Sequence, residues 1–236
     1  LDVILHPSYR HQGLESSLID WAEHYVQTTR PDPHIPVQMR VAVNQDRREE
    51  QSIYEAHGFR KTRWFQNLYR PLSLPFEPPQ MPPGFGMQRA DSVRPEDWVA
   101  LFNDTFIDHW NFVPLTLAQY QYRLKTPSHQ PDFDWVLVAE DGTLAGFCAA
   151  HLPYKENARH QRREGYIALL GTRRGYRRRG LARAMLRYGL QRIQAAGLDT
   201  AVIGVDRDNP NHAKTLYESV GFHVKDGWLK YEKVLA

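Results

Sequence analysis

Apolar and polar positions change period repeatedly along this chain, and the changes outline its elements. A short alternating run over Phe85–Ala90 predicts a strand. Arg94-Pro95-Glu96-Asp97 then opens a helix that runs to about Phe106, with Trp98, Leu101 and Phe102 on one face. Thr116–Leu124 predicts a second helix. Trp135–Glu140 and Thr143–Leu152 read as a hairpin turning on Asp141-Gly142, because glycine accepts the positive φ of a tight turn. Tyr166–Thr172 is continuously apolar, as suits a strand buried on both faces. Leu181, Met185, Leu186, Gly189, Leu190, Ile193 and Ala196 then recur at helical spacing, and Gly197 ends that helix. Thr200–Val205 predicts another buried strand, and Asn209-Pro210 the cap and first turn of a further helix. Phe222–Asp226 and Trp228–Leu235 predict a closing hairpin around Asp226-Gly227. The order βααβββαβαββ is that of an α/β fold, a mixed sheet with helices on both faces.

The pattern also repeats. Arg177-Arg178-Arg179-Gly180-Leu181-Ala182 lies between a buried strand and an amphipathic helix, and Tyr217-Glu218-Ser219-Val220-Gly221-Phe222 ends a later helix. Near the start stand Arg10-His11-Gln12-Gly13-Leu14-Glu15 and Tyr54-Glu55-Ala56-His57-Gly58-Phe59. Gly13 and Gly58 precede Gly180 and Gly221 by 167 and 163 residues, and two anchors at nearly one offset predict an internal duplication. The offset is a domain length, so the first copy is expected to hold only the C-terminal half of its unit. There Val3–His6 would be the buried strand, and Leu14, Leu18, Trp21 and Tyr25 the face of the following helix. Six prolines in Pro71–Pro83 predict a semi-rigid linker, with domains at 1–70 and 84–236.

Composition adds bounds. With 236 residues, 42% apolar and 24% charged, the chain can bury real cores and is not disordered. No apolar run reaches the length of a membrane span, so no membrane partner is expected. One cysteine, Cys148, excludes an internal disulfide and a Cys-based zinc site, in keeping with a cytoplasmic location. No secretory leader is read at the start, and the opening Leu-Asp-Val-Ile-Leu suggests a fragment or processed product. A sheet beginning at such a point would expose an apolar edge, covered by residues ahead of Leu1 (the preferred reading) or by a second chain in a homodimer. The net charge is only +3, but arginines bunch at 159–163 and 173–187, which suits polynucleotide, a membrane surface, a phosphorylated small molecule or simply a solvated face.

Gly180 leaves room for a ligand beside the backbone, and the helix start that follows presents free N–H groups to an anion. Arg177, Arg178, Arg179 and Arg183 can add charge-assisted bonds, so the loop reads as a diphosphate nest. It lacks the Gly-Lys-Ser/Thr of a P-loop and the Gly-x-Gly-x-x-Gly of dinucleotide folds. Tyr217 is a candidate proton donor, since a phenol stays protonated at neutral pH; a half-buried core tyrosine is the plain alternative. Cys148 reads as a small buried hydrophobe, and no His or carboxylate grouping suggests a metal.

On these motifs residues 84–236 resemble the GNAT superfamily of acetyl-CoA-dependent N-acetyltransferases, and the first copy resembles the C-terminal half of the same fold. The superfamily's Gln/Arg-x-x-Gly-x-Gly/Ala motif is matched by Arg177, Gly180 and Ala182. Its later signature is matched by Asp208-Asn209-Pro210, Ala213 and Leu216 through Phe222. The tandem layout is similar to that of mycothiol synthase-like double GNAT proteins, an impression that Asp108-His109-Trp110 strengthens. The resemblance implies acetyl-CoA as cosubstrate, with no metal. Leu170, Gly171 and Thr172 would pair with the pantetheine arm, and Arg177 to Arg183, with Leu181 and Ala182, would hold the pyrophosphate. Asn209 and Ala213 would line the pantetheine or thioester region, with helix capping an equal reading for Asn209, and Lys214 is read as solvated. An amine would attack the thioester directly, with Tyr217 protonating the departing thiolate. Glu164, His151 and His109 are the candidate bases, Glu164 foremost. In the first copy Glu15 stands where Ala182 does, and its carboxylate would repel a pyrophosphate, so that half is read as a scaffold. A non-catalytic acyl-CoA-binding module is the alternative function, and a polynucleotide-binding module a more distant one; nucleic acid is not expected as a partner.

Overall fold

The computed structural model describes residues 1, 3–10, 12–32 and 34–235; His11 of the weaker loop motif lies outside them. The chain forms two compact units, one of residues 1–66, 206–208 and 225–236, the other of residues 67–205 and 209–224. The division falls between Gln66 and Asn67, ahead of the proline-rich stretch. The chain's last residues belong with the first unit.

The first unit holds α1 (Leu14–Thr29), β1 (Val37–Asn44), α2 (Arg48–Ala56) and the first part of β2 (Arg60–Pro71). Most of β8 (His223–Leu235) joins it, antiparallel to β1 from Val37↔Leu235 to Asn44↔Trp228. The expected closing hairpin is therefore one continuous strand. Gly227 is there for close packing rather than for a turn: a Cβ would lie 2.6 Å from Gln45 Oε1 and 2.7 Å from the Phe65 carbonyl. The expected strand at Val3–His6 is also absent; residues 3–6 have no regular structure, and Pro7–Tyr9 form a 3₁₀ turn, for which proline's fixed φ is suited. Ile19, Val41, Val43, Tyr54 and Tyr231 form the core. On α1, Trp21 and Tyr25 are exposed and stacked with ring centroids 5.5 Å apart.

The second unit contains β3 (Phe85–Arg89), α3 (Pro95–Phe106), α4 (Leu117–Leu124), β4 (Asp134–Ala139) and β5 (Leu144–His151). Then come α5 (Tyr154–His160), β6 (Glu164–Thr172), α6 (Leu181–Ala195), β7 (Thr200–Asp206) and α7 (Ala213–Glu218). Its strand order is β7–β6–β5–β4–β3, parallel only between β6 and β7, so the sheet is mixed as expected. Side chains alternate across β4: Trp135 and Leu137 join Leu181, Met185 and Leu190 of α6 in one core, whereas Val136 joins Trp98, Leu101 and Tyr120 on the other face. Trp98 and Tyr120 stack at 4.2 Å. Helix α5 follows the Leu152-Pro153 break, and the sequence pattern does not predict it because Tyr154–His160 carries almost no apolar periodicity.

Candidate active site

Strand β6 carries the first part of the site. Its parallel pairing with β7 runs from Glu164↔Thr200 to Ile167↔Ile203 and stops there, leaving Ala168–Thr172 unpaired on that side. On the other side the β5 register shifts between Ala149↔Leu169 and Ala150↔Ile167, so Ala168 is the extra residue of a bulge. A bulge sharpens the local twist, which accounts for the two strands parting here. Leu170, Gly171 and Thr172 are thus half-buried strand residues with one backbone edge unused. Gly171 is dictated by space: a Cβ would lie 2.4 Å from Thr105 Cγ2 and 2.8 Å from Phe147 Cζ.

The arginine loop follows. Gly180 caps α6 at φ 77°, and Arg178 also takes a left-handed φ of 65°, an uncommon conformation for a side-chain-bearing residue that composition did not signal. These two turns gather the N–H groups of Arg178 through Arg183, none of which donates a hydrogen bond among the described residues. Leu181 is buried and Ala182 half-buried beneath them.

The arginines divide into two groups. Arg177 points inward, donating through Nε to the Thr172 carbonyl at 3.2 Å and through its Nη atoms to Asp108 Oδ2 at 3.2 Å, Asn211 Oδ1 at 3.1 Å and the Thr105 carbonyl at 3.2 Å. It therefore ties the strand end to α3 and to the loop before α7. Asp108 accepts from Arg174 as well, and these two guanidiniums hold its carboxyl below the usual carboxylate range. Arg178 and Arg179 are exposed; the latter rests over the Tyr176 ring at 5.3 Å. Arg183 donates to Ser219 Oγ at 3.1 Å.

Helix α7 begins at Ala213, three residues later than the Asn-Pro pair suggests. Asn209 forms an Asx turn instead, its Oδ1 accepting from the Asn211 N–H at 2.9 Å, and His212 at φ 53° caps the helix. Lys214 pairs with Glu218 at 3.7 Å on the helix surface. Tyr217 is buried against Phe222, and burial pushes its phenol well above the ordinary value near 10.

The candidate bases are not gathered at one point. Glu164 opens β6, about 13 Å along the strand from Ala168 at some 3.3 Å per residue. Its carboxylate accepts from Tyr166 Oη at 3.0 Å and pairs with Arg162 at 3.7 Å. His109 packs on Phe106 with ring centroids 4.4 Å apart. His151 alone of the three lines a cavity with Ala168, a space of about 210 Å³ that also takes in Arg123, His129 and Asp134. Sequence reasoning passed over Asp134 and Arg123, because nothing in their spacing shows that α4 and β4 bring them together.

The candidate site thus joins a strand parted from its parallel neighbour to a helix start whose N–H groups are open. The Acetyltransferase (GNAT) family model matches residues 96–222, more than half of the chain, and the chain belongs to that family. It is an acetyl-CoA-dependent acetyltransferase. It is similar to mycothiol acetyltransferases of Thermobispora bispora (28% identical, covering 94% of this chain and 71% of the relative) and Salinispora arenicola (27%, 99% and 72%). In fold it resembles a GCN5-related N-acetyltransferase from Sphaerobacter thermophilus, with a TM-score of 0.81 at 22% identity over 98% of this chain and 70% of that one. A tandem GNAT protein from the clavulanic acid biosynthesis pathway gives 0.74 at 13% over 98% and 73%. Among the described residues no helix is long and apolar enough to cross a membrane, and no group of His, Cys, Asp or Glu is arranged for a metal ion.

Proposed function

We propose that the second unit transfers the acetyl group of acetyl-CoA to a primary amine by direct attack. The observation that carries this reading is the end of β6–β7 pairing at Ile167↔Ile203 directly before the open N–H groups of Arg178–Arg183. The free edge of Leu170–Thr172 suits the amide-bearing pantetheine arm as an added strand. The N–H groups ahead of α6, with Arg178, Arg179 and Arg183, suit the pyrophosphate, while Arg177 holds the frame around it. Asn209 and Ala213 would line the pantetheine or thioester region from the α7 side. Strand N–H groups at Leu170–Thr172 would stabilise the tetrahedral oxyanion, and Tyr217, kept protonated by burial, would donate to the leaving thiolate. His151, in the cavity beside Ala168, is better placed than Glu164 to take the proton of the incoming ammonium.

The first unit supports the duplication reading by its own geometry. Gly13 caps α1 at φ 79° as Gly180 caps α6 at 77°. The Phe59 N–H donates to the Tyr54 carbonyl at 3.0 Å, and that of Phe222 to Tyr217 at 3.1 Å. Glu15 in the first turn of α1 argues that this copy no longer takes CoA and serves as scaffold. Acceptors of the kind that the mycothiol acetyltransferase relatives use come first for testing. The experiment is a calorimetric titration with acetyl-CoA, followed by thiol release over a panel of primary amines. Tight binding with turnover supports the reading; tight binding with no thiol release from any amine overturns it in favour of a non-catalytic acyl-CoA sensor.

A further inference from the structure

Asp108 stands just past the end of α3, and its carboxylate is shared by two arginines that differ in what else they hold. Arg177 Nη1 donates to Oδ2 at 3.2 Å, and the rest of that guanidinium is engaged with Thr172, Thr105 and Asn211. Arg174 donates through Nε to Oδ2 at 3.3 Å and through Nη2 to Oδ1, and among the described residues its guanidinium bonds to Asp108 alone. Its side chain is 52% exposed. Arg174 also lies four residues ahead of Arg178, where the open N–H groups begin. Through a 3₁₀ turn at about 2 Å per residue that is roughly 8 Å, about one Debye length at physiological salt, so a diphosphate on those groups attracts it.

Asp108 also belongs to a turn with both ends anchored. The His109 N–H donates to the Phe106 carbonyl at 2.8 Å and the Phe112 N–H to the His109 carbonyl at 3.0 Å, with Asn111 at φ 54°. Phe106 anchors one end, its ring centroid 4.4 Å from that of His109 and 5.4 Å from that of Phe147. Asn103 anchors the other, donating to the Leu115 carbonyl at 3.0 Å and accepting from its N–H at 2.8 Å. Between those anchors the Asp108 ion pairs tie the turn to the arginine loop.

We propose that Asp108 is a resident counter-ion of the arginine loop, that the diphosphate of acetyl-CoA takes Arg174 from it, and that this transfer loosens the turn of residues 107–112. The inference rests on the cosubstrate assignment above and adds Arg174 as a phosphate ligand held in reserve. Charge supports it: a diphosphate beside the loop carries more negative charge than one carboxylate and is the stronger claimant for an exposed guanidinium. Geometry decides which arginine moves. Arg177 would forfeit three further bonds by leaving, whereas Arg174 has none to lose among the described residues. Asp108 therefore stays on Arg177 and the frame persists, while the turn gives up its Arg174 tie.

The test applies calorimetry with CoA, 3′-dephospho-CoA and pantetheine to the wild type, Asp108→Asn, Arg174→Gln and the double variant, and follows amide hydrogen exchange of residues 107–112. CoA and 3′-dephospho-CoA should speed exchange in the wild-type turn, and pantetheine, which carries no phosphate, should not. Arg174→Gln should weaken both phosphorylated ligands about two- to fivefold, the scale of one exposed ion pair, and leave pantetheine unchanged. Asp108→Asn should tighten both by a similar factor although it lowers stability, and the gain should vanish in the double variant. A merely structural Asp108 predicts weaker binding instead, and that result overturns the inference. So does a wild-type turn whose amide exchange stays the same or slows when CoA binds, a measurement that needs no variant to fold. Weakening of CoA but not of 3′-dephospho-CoA by Arg174→Gln would put Arg174 on the 3′-phosphate and overturn its transfer to the diphosphate. Failure of the wild type to bind CoA at all would overturn the cosubstrate assignment itself.

Discussion

Arg177 donates to Asp108 Oδ2 at 3.2 Å, and that pair joins the end of β6 to the end of α3. Counting its further bonds to the Thr172 and Thr105 carbonyls and to Asn211, it acts as a framework residue in a loop whose other arginines face solvent. Arg177→Ala should lower stability by about 1–3 kcal/mol, as expected for a half-buried hydrogen-bond network, and move the thermal midpoint visibly. Arg178→Ala should leave the midpoint in place and raise KM for acetyl-CoA roughly tenfold, the effect of one charge-assisted contact. Equal midpoint shifts in the two variants would refute the division of roles.

The same network predicts a pH dependence. The Asp108 carboxyl is depressed in the folded protein, so its contribution is complete above the unfolded carboxylate value of about 3.9 and is lost as pH falls through the lower folded value. Thermal midpoints of the wild type and Asp108→Asn, measured between about pH 2 and 6, should differ at the upper end and converge at the acid end. A difference that persists unchanged to the lowest pH would mean that the carboxylate charge contributes nothing.

Two glycines of the site should respond differently to alanine. At Gly171 the added Cβ would strike Thr105 and Phe147, and overpacking of this kind costs about 1–3 kcal/mol. At Gly180 nothing lies within 4 Å, so the cost is that of the left-handed φ alone, about 1–2 kcal/mol. Gly171→Ala should therefore lose stability and cosubstrate affinity together through a shifted strand. Gly180→Ala should change acetyl-CoA binding chiefly, by reorienting the N–H groups of the loop. Denaturant unfolding paired with calorimetry separates the two patterns.

Much of this was legible in the sequence because periodicity and turn chemistry act locally. The apolar face of α6, the Asp141-Gly142 turn and the left-handed glycines 180 and 221 are all fixed by neighbours a few residues away. What escaped notice depends on distant partners. Gly227 looked like a turn residue because the approach of Gln45 and Phe65 cannot be seen in the flanking residues. The framework bonds of Arg177 could not be read from its motif because Asp108 lies 69 residues away. Which end of β6 opens was likewise not legible, because the stop in pairing at Ile167↔Ile203 depends on the neighbouring strand.

Arg70 supplies a fourth prediction. It is 3% exposed and pairs with no carboxylate among the described residues; its guanidinium donates to the carbonyls of Val220 (2.7 Å), Pro71 (2.8 Å), Pro75 (3.0 Å) and Leu74 (3.3 Å). It thus seals the end of α7 and fixes the residues after β2, while Phe76 covers it at 4.9 Å. Arg70→Met fills similar space but strands the carbonyls, so a loss of about 2–4 kcal/mol is expected in denaturant unfolding. Lysine, with one ammonium in place of a fork, should recover only part of it. Full recovery by lysine would show that charge alone, rather than the several directed bonds, sustains the contact.

Tyr217 gives the sharpest test of chemistry. Its hydroxyl makes no recorded hydrogen bond among the described residues, so Tyr217→Phe removes an acid without breaking a contact, and stability should stay within about 0.5 kcal/mol of the wild type. Turnover should fall about a hundredfold, the scale of a lost general acid, with acetyl-CoA affinity unchanged in calorimetry. The sign of the pH effect follows from burial. A phenol raised above its ordinary value near 10 remains the protonated donor through the whole neutral and mildly alkaline range, so kcat should show no alkaline decline from this group below about pH 10. A core-packing role predicts the opposite pairing: a lower thermal midpoint in the phenylalanine variant with kcat intact at temperatures where it stays folded.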